Sequence, residues 1–431
     1  MIVDPLLALD RTVCLIQDYV DADAQSIVAR LTATRVRILA DDETLSTNTG
    51  RAAVVAVFES VARLGVQIIL DVPPATQIDL PPGYLQVDVR SALTERASQL
   101  VTRVTDTGTP DLCINLARRV KRHDISLGGG DTDVRLRIGQ WAGGWHGTLP
   151  LGAGLAGTAA GAEVTRLVIR CLLGESQSRE RFWLEHRPFD LSLPPVALPS
   201  HLDLGTVDFV SSGAITQAVL LLLFLLPGVS LTGRVFDDDA GQQDNLNRYF
   251  LLTASGLGVP KARQLASLST DLVRLEPHLL RVTNSDSIAH LRPLADTVCV
   301  GVDSVEARWD VQRLATGWVG VGATTHSLAM ASEHRPGEPC SACVHPVTEP
   351  PLPRLPTISF VSLMAGTLLA HRLLASRGHP GPWQLTALNL FNLAGRTPLV
   401  IDRMAINPSC PLGCGIPSVT AATRRRRPRR R

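Results

Sequence analysis

The residues best suited to chemistry gather between positions 206 and 308. Residues 206–210 alternate like a strand, Ser211-Ser212-Gly213-Ala214-Ile215-Thr216 forms a turn, and the apolar run 216–226 reads as a helix. A strand, a glycine-containing turn and a helix put backbone N–H groups and the positive helix end where a phosphate can sit. With one of the three glycines of a G-x-G-x-x-G loop, the same residues also suit a plain tight turn. The next strand, 230–236, ends in Asp237-Asp238-Asp239, and an acidic residue there is placed to grip ribose hydroxyls. Asp244-Asn245-Leu246-Asn247-Arg248 and Gly258-Val259-Pro260-Lys261-Ala262 follow; taken singly, Arg248 and Lys261 are solvated surface charges. A further strand, 297–302, runs into Asp303 with Arg308 beyond it, and Asp303 alone suits a helix N-cap.

A second candidate centre is made of sulfur. Cys340-Ser341-Ala342-Cys343 and Cys410-Pro411-Leu412-Gly413-Cys414 together offer four thiolates to one tetrahedral zinc. The second pair is one residue longer than C-x-x-C, His345 is an alternative ligand, and two reduced, idle pairs are the alternative reading. Cys14, Cys113 and Cys171 are scattered, and Cys299 at a strand end is expected to be buried rather than nucleophilic. His123, His146, His326 and His371 show no spacing that points to a base.

The elements that must position these residues imply an α/β protein of two domains, the default for 431 residues of which 45% are hydrophobic and 19% charged. In the first half a strand at 36–39, a helix at 51–64 and a buried strand at 66–72 ended by Pro73-Pro74 give a βαβ rhythm, the mark of a parallel sheet. A strand at 133–138, a Gly/Trp loop at 141–147 and a small-residue helix at 153–171 follow. The proline-rich stretch 188–204 places a domain boundary, giving domains 1–190 and 200–415. Arg424 to Arg427 and Arg429 to Arg431 make 416–431 a basic tail, expected to be disordered, and leave the body mildly acidic under a formal net charge of +2. Nucleic-acid contact by that tail is the lesser expectation. The apolar run 218–226 stops at Pro227, short of a bilayer span, and no apolar leader opens the sequence, so a soluble cytoplasmic protein without membrane contact is expected.

Taken in order, Val207 to Ala266 resembles the ThiF/MoeB family of ubiquitin-activating-type adenylyltransferases: an aspartate-ended second strand, an S-N-L-N-R-type motif and a G-x-x-K-A segment opening the next helix. The likeness covers about 200–415. It implies a Rossmann-like fold that binds ATP and Mg²⁺ and adenylates the C-terminal carboxylate of a ubiquitin-like or sulfur-carrier protein ending in glycine. By resemblance Ser212 and Gly213 belong to the phosphate loop, Asp237 binds the ribose, Asn245 and Arg248 hold phosphates, Lys261 reaches them from the other side, and Asp303 helps to hold Mg²⁺. Paired cysteines occur in the family at these places, which implies structural Zn²⁺ on Cys340, Cys343, Cys410 and Cys414. Two loop glycines of the family are Ser211 and Thr216 here, and residues 344–360 contain no cysteine for a thioester. The first half is then a candidate degenerate copy, forming an intrachain pseudo-dimer; a homodimer is the other arrangement the family implies. A rival is a non-catalytic scaffold of the same fold. A second is a dinucleotide-dependent oxidoreductase using Gly152-Ala153-Gly154-Leu155-Ala156-Gly157, although that G-x-G-x-x-G follows Leu149-Pro150 rather than a strand and suits helix packing better.

Overall fold

Strand formation follows from apolar runs that bury both faces, the pattern of parallel sheets covered by helices. The computed structural model describes residues 3–74, 79–118, 123–282, 290–345, 357–377, 385–392 and 399–414. Its first half opens with three helices the sequence reading did not anticipate, α1 (Pro5–Ala8), α2 (Asp10–Gln17) and α3 (Ala24–Ala33). Then come β1 (Arg35–Leu39), α4 (Asp42–Ser46), α5 (Asn48–Ala62), β2 (Gln67–Asp71), α6 (Val89–Ser98), β3 (Arg103–Val104), β4 (Leu112–Asn115), β5 (Ile125–Gly129), β6 (Asp133–Ile138), α7 (Leu151–Glu180) and β7 (Phe189–Ser192). The second half runs β8 (Leu202–Val210), α8 (Ala214–Phe224), β9 (Val229–Phe236), α9 (Lys261–Ala266), β10 (Val273–His278), β11 (Thr297–Val300), α10 (Val305–Leu314), β12 (Trp318–Thr325), β13 (Leu328–His334), α11 (Ser341–Val344), α12 (Ser359–Ala375), β14 (Leu385–Asn389) and β15 (Leu399–Asp402). The arginine tail and most of the loop before α12 lie outside the described residues.

Each half builds one sheet, and the two sheets have the same plan. The first has the order β3-β2-β1-β4-β5-β6-β7, the second β10-β9-β8-β11-β12-β13-β14-β15. In each, the first five strands in that order are parallel and the later ones antiparallel. The fold is α/β and Rossmann-like, with the strand order reversing between β1 and β4 and again between β8 and β11. Those reversals are where open α/β sheets leave a crevice beyond the carboxyl ends of their strands.

Four helices join the halves. Helix α7 packs on α5 and α12, and α12 on α8. Close approach depends on absent side chains: a Cβ on Gly157 would lie 2.6 Å from the Ala56 carbonyl oxygen, and one on Gly161 would lie 2.5 Å from Ser60 Oγ. Ser359 Oγ of α12 donates to Ser60 O of α5, linking the two halves, and a single hydrophobic cluster runs through both. Gly152, Gly154 and Gly157 are therefore packing residues inside α7, with no open face for a dinucleotide. Helix α7 extends nine residues past the expected Cys171, interrupted at Gly174 in the left-handed region (φ +73°). The proline-rich stretch also holds a strand, because Phe189–Ser192 pairs with β6 as the edge of the first sheet. Among the described residues no helix is long and apolar enough to cross a membrane.

Candidate functional site

The crevice between β8 and β11 is bordered by the turn 211–216 and by Gly301 to Asp303. Helix α8 begins at Gly213 with no side-chain cap, so its first N–H groups point out of the helix without an intrahelical partner. Ser211 holds the left-handed region (φ +90°), a conformation natural for glycine and costly by about 1–2 kcal/mol for a residue with a Cβ. Its hydroxyl accepts from Gly213 N at 2.9 Å, so the side chain occupies a donor that a glycine would have left open. Ser212 N donates to Asp237 Oδ2 at 2.8 Å, and Asp239 N to Asp237 Oδ1 at 2.9 Å. Burial pushes the Asp237 carboxyl above its ordinary range, against Lys261 and those two N–H groups.

The Asn245 and Arg248 segment faces the same turn. Asn245 Oδ1 accepts from Gln242 N and its Nδ2 donates to Asp244 Oδ1 at 3.0 Å. Arg248 bonds Asn247 Oδ1 at 2.9 Å and the Asp244 carbonyl, and Lys261 Nζ pairs with Asp239 Oδ2 at 3.1 Å. Tyr249, which the sequence reading did not single out, lies between the two cations: its ring is 5.2 Å from the Arg248 guanidinium and 5.4 Å from Lys261 Nζ. A Cβ built on Gly213 would be 3.8 Å from Tyr249 Oη, so the phenol points at the turn. Ser212 Oγ and Asn247 Nδ2 are buried with no hydrogen-bond partner. A buried orphan of this kind costs about 1–3 kcal/mol until a ligand or water bonds it, and phosphate oxygens are suitable acceptors.

Asp237, Asn245, Arg248, Lys261, Ser212 and Gly213 are thus brought together. Asp303 is exposed on the loop after β11, with Oδ1 accepting from Ser304 N, and the cation it acts on is Arg308. The N-cap of α10 is Ser304 rather than Asp303, since Ser304 Oγ accepts from Ala307 N. Arg308 bonds Val302 O and approaches His345, and burial lowers it to about 10 despite Asp303. Asp237, Asp238 and Asp239 also cluster, but Arg281 binds the latter two and Lys261 binds Asp239.

The corresponding strand-order reversal of the first half, between β1 and β4, is lined differently. Its turn reads Ala40-Asp41-Asp42-Glu43, three carboxylates where a phosphate would need donors. Asp41 accepts from Thr44 N and Arg118 N, Trp145 Nε1 donates to Leu116 O, and the one Thr44 hydroxyl proton is shared between Asp41 Oδ1 and Leu116 O.

The four cysteines meet as the spacing anticipated. Their sulfurs all lie within 4.8 Å of one another, with Cys340–Cys410 at 3.3 Å, Cys343–Cys414 at 3.4 Å, Cys410–Cys414 at 3.6 Å and Cys340–Cys343 at 3.9 Å. Tetrahedral zinc at about 2.3 Å from each sulfur requires separations of about 3.8 Å, so the donor set fits the ion. His345 is not a fifth candidate, because its ring nitrogens face Arg308 and Ser332. Cys299 is buried in the sheet, and burial pushes its thiol far up, as a core residue requires.

No family model matches the chain. An uncharacterized protein of Sinorhizobium fredii, y4jF, is 27% identical over 205 residues, which make up 46% of this chain and 39% of that relative, so the chain spans about two-fifths of its length. Among solved structures it is similar to E. coli MccB with MccA-N7isoASN (17% identity, TM-score 0.40, 49% of this chain and 67% of that one). E. coli MccB with ATP gives 18% identity and a TM-score of 0.39 over 49% and 67%. Likenesses this loose transfer no activity.

Proposed function

We propose that residues 200–415 form an ATP-dependent adenylating domain of the ThiF/MoeB type that activates the C-terminal carboxylate of a ubiquitin-like or sulfur-carrier protein ending in glycine. One observation carries this reading: an uncapped helix N-terminus, Asp237, the Asn245 and Arg248 segment and Lys261 all border one strand-order reversal. In the proposed reaction a carrier carboxylate oxygen attacks the α-phosphorus of ATP. The bond to the bridging oxygen breaks, and pyrophosphate leaves with the electron pair, giving the acyl-adenylate. Arg248 and Lys261 offset charge on the two phosphoryl fragments, and no base is needed because the carboxylate is already ionised. Asp237 retains lone pairs beyond its two N–H bonds with which to accept ribose hydroxyls. Mg²⁺, which takes oxygen ligands, would be held in part by Asp303 and would lower the charge on the phosphates. The first half acts as the second member of an intrachain pseudo-dimer, a reading supported by its seven strands following the same order as the first seven of the second sheet. Titration calorimetry with MgATP, followed by ATP–pyrophosphate exchange with glycine-ended carriers, tests the assignment; a folded chain that binds no MgATP rejects it.

A second reading, a non-catalytic scaffold of the same fold, is favoured by the Ser211 hydroxyl on Gly213 N and by Tyr249 against the turn. Ser211→Gly separates the two. It frees the Gly213 N–H and removes the positive-φ strain, so in an ATP-binding protein MgATP affinity should rise by about tenfold, the equivalent of about one hydrogen bond. Calorimetry that detects no MgATP binding by either protein supports the scaffold.

Zinc on Cys340, Cys343, Cys410 and Cys414 would tie the start of α11 to the chain after β15. Metal analysis should find about one zinc per chain, and Cys343→Ser should reduce that content severalfold and lower the melting temperature; zinc-free native protein would contradict the assignment.

A further inference from the structure

Helices α5 and α6 of the first half carry a buried ionic cluster whose outer face is spent entirely on the second half. Glu59 Oε2 accepts from Arg63 Nε at 2.8 Å, and Glu59 Oε1 accepts from Arg96 Nε at 2.7 Å and from the Tyr84 hydroxyl. One carboxylate thus faces two guanidinium groups, all three side chains essentially without solvent contact. The surplus positive charge is taken up by carbonyl oxygens of one segment. Arg63 Nη1 donates to Leu246 O at 2.8 Å, Arg63 Nη2 to Phe250 O at 2.9 Å and Leu252 O at 3.2 Å, and Arg96 Nη2 to Phe250 O at 2.6 Å.

That segment begins at Asn245 and contains Arg248. Gln217, fully buried on α8, connects it to the turn: its Nε2 donates to Ser212 O at 3.0 Å and its Oε1 accepts from Leu251 N at 2.9 Å. The backbone from 246 to 252 is therefore fixed from one side by two first-half arginines and from the other by a residue of the turn's own helix. Guanidinium is suited to this because its donors form a rigid fork; an ammonium cannot reach three carbonyls and a carboxylate in the same geometry.

We propose that Arg63 and Arg96, oriented by Glu59, are positioning residues that hold the Asn245 and Arg248 segment at its distance from the turn 211–216, so that the first half is a working part of the nucleotide site. The inference rests on the ATP-binding reading above. Its test is MgATP affinity, measured calorimetrically on the full chain, for Arg63→Lys beside Arg166→Lys. Arg166 belongs to a comparable buried cluster with Glu163 that bonds Leu390 O, and the proposed machinery does not include it. At a temperature where both variants are folded, Arg63→Lys should weaken MgATP binding tenfold or more, and Arg166→Lys less than twofold. Should Arg63→Lys not fold, Arg96→Lys, which loses one carbonyl bond rather than three, carries the same comparison. Unchanged affinity in the folded variant, or equal weakening by Arg166→Lys, overturns the positioning role. A wild-type chain that binds no MgATP removes the ATP-site reading itself, and the positioning role with it.

Discussion

Arg248→Ala is expected to weaken MgATP binding about ten- to hundredfold, the range set by losing one or two charge-assisted hydrogen bonds at about 1.5–3 kcal/mol in total. The guanidinium is largely buried, held by Asn247 Oδ1 and the Asp244 carbonyl, and stacked over Tyr249. It enters the site already oriented, so little of its interaction with phosphate is lost to ordering. Arg248→Lys keeps the charge and loses the fork, and should fall between wild type and alanine. Calorimetry at fixed ionic strength measures both, and pyrophosphate exchange should fall at least as far once a carrier is found. An alanine variant that binds MgATP as tightly as wild type would take Arg248 out of the site. The Ser211→Gly and Arg248→Ala results should have opposite signs, because one opens a donor and the other removes one.

The grouping of residues at the second-half candidate site was legible in the sequence where its parts are local. A strand, a turn and a helix occupy contiguous residues, and Asp237 is fixed by ending the next strand, so spacing alone brings Ser212, Gly213 and Asp237 to one sheet end. Each cysteine pair is legible from its own short spacing, while the meeting of the two pairs across 70 residues is not local. Tyr249 was not legible, because a tyrosine after an arginine carries no signal until the backbone turns it between Arg248 and Lys261. Of the two readings of Asp303, the cap falls to Ser304 next to it, which has an equally suitable side chain. The first half showed only a βαβ rhythm. The residues after its first strand open on the carboxylates Asp41 to Glu43 rather than on a glycine turn, and the equivalence of the two sheets appears only in strand order. The Glu59 cluster was the least legible part. Glu59 and Arg63 are four residues apart, the spacing of an ordinary exposed helix pair, while Arg63 meets the carbonyl of Leu246, 183 residues further along the chain.

That cluster sets the largest stability effect expected. Glu59→Gln keeps the shape and removes the charge, leaving two buried guanidinium groups without a counter-ion. Breaking a buried ionic group on one side costs about 3–5 kcal/mol, since the partner charges stay desolvated. The urea midpoint at neutral pH should fall accordingly. The pH dependence follows from the direction of the carboxyl's shift: burial opposes its charge, but Arg63 and Arg96 overcome that and hold it below the ordinary value of 4.5. A carboxyl lowered on folding contributes its full stabilisation above the unfolded value, and loses it as the pH falls through the lower folded value. Wild type and Glu59→Gln should therefore differ most above about pH 5 and converge on acidification below 4.5. Urea titrations of both proteins across that range measure the difference directly. A gap at pH 7 under about 1 kcal/mol would mean that the two arginines are satisfied by the carbonyls of 246, 250 and 252 alone, with Glu59 dispensable; a gap that persists unchanged in acid would mean that the loss is one of packing rather than charge.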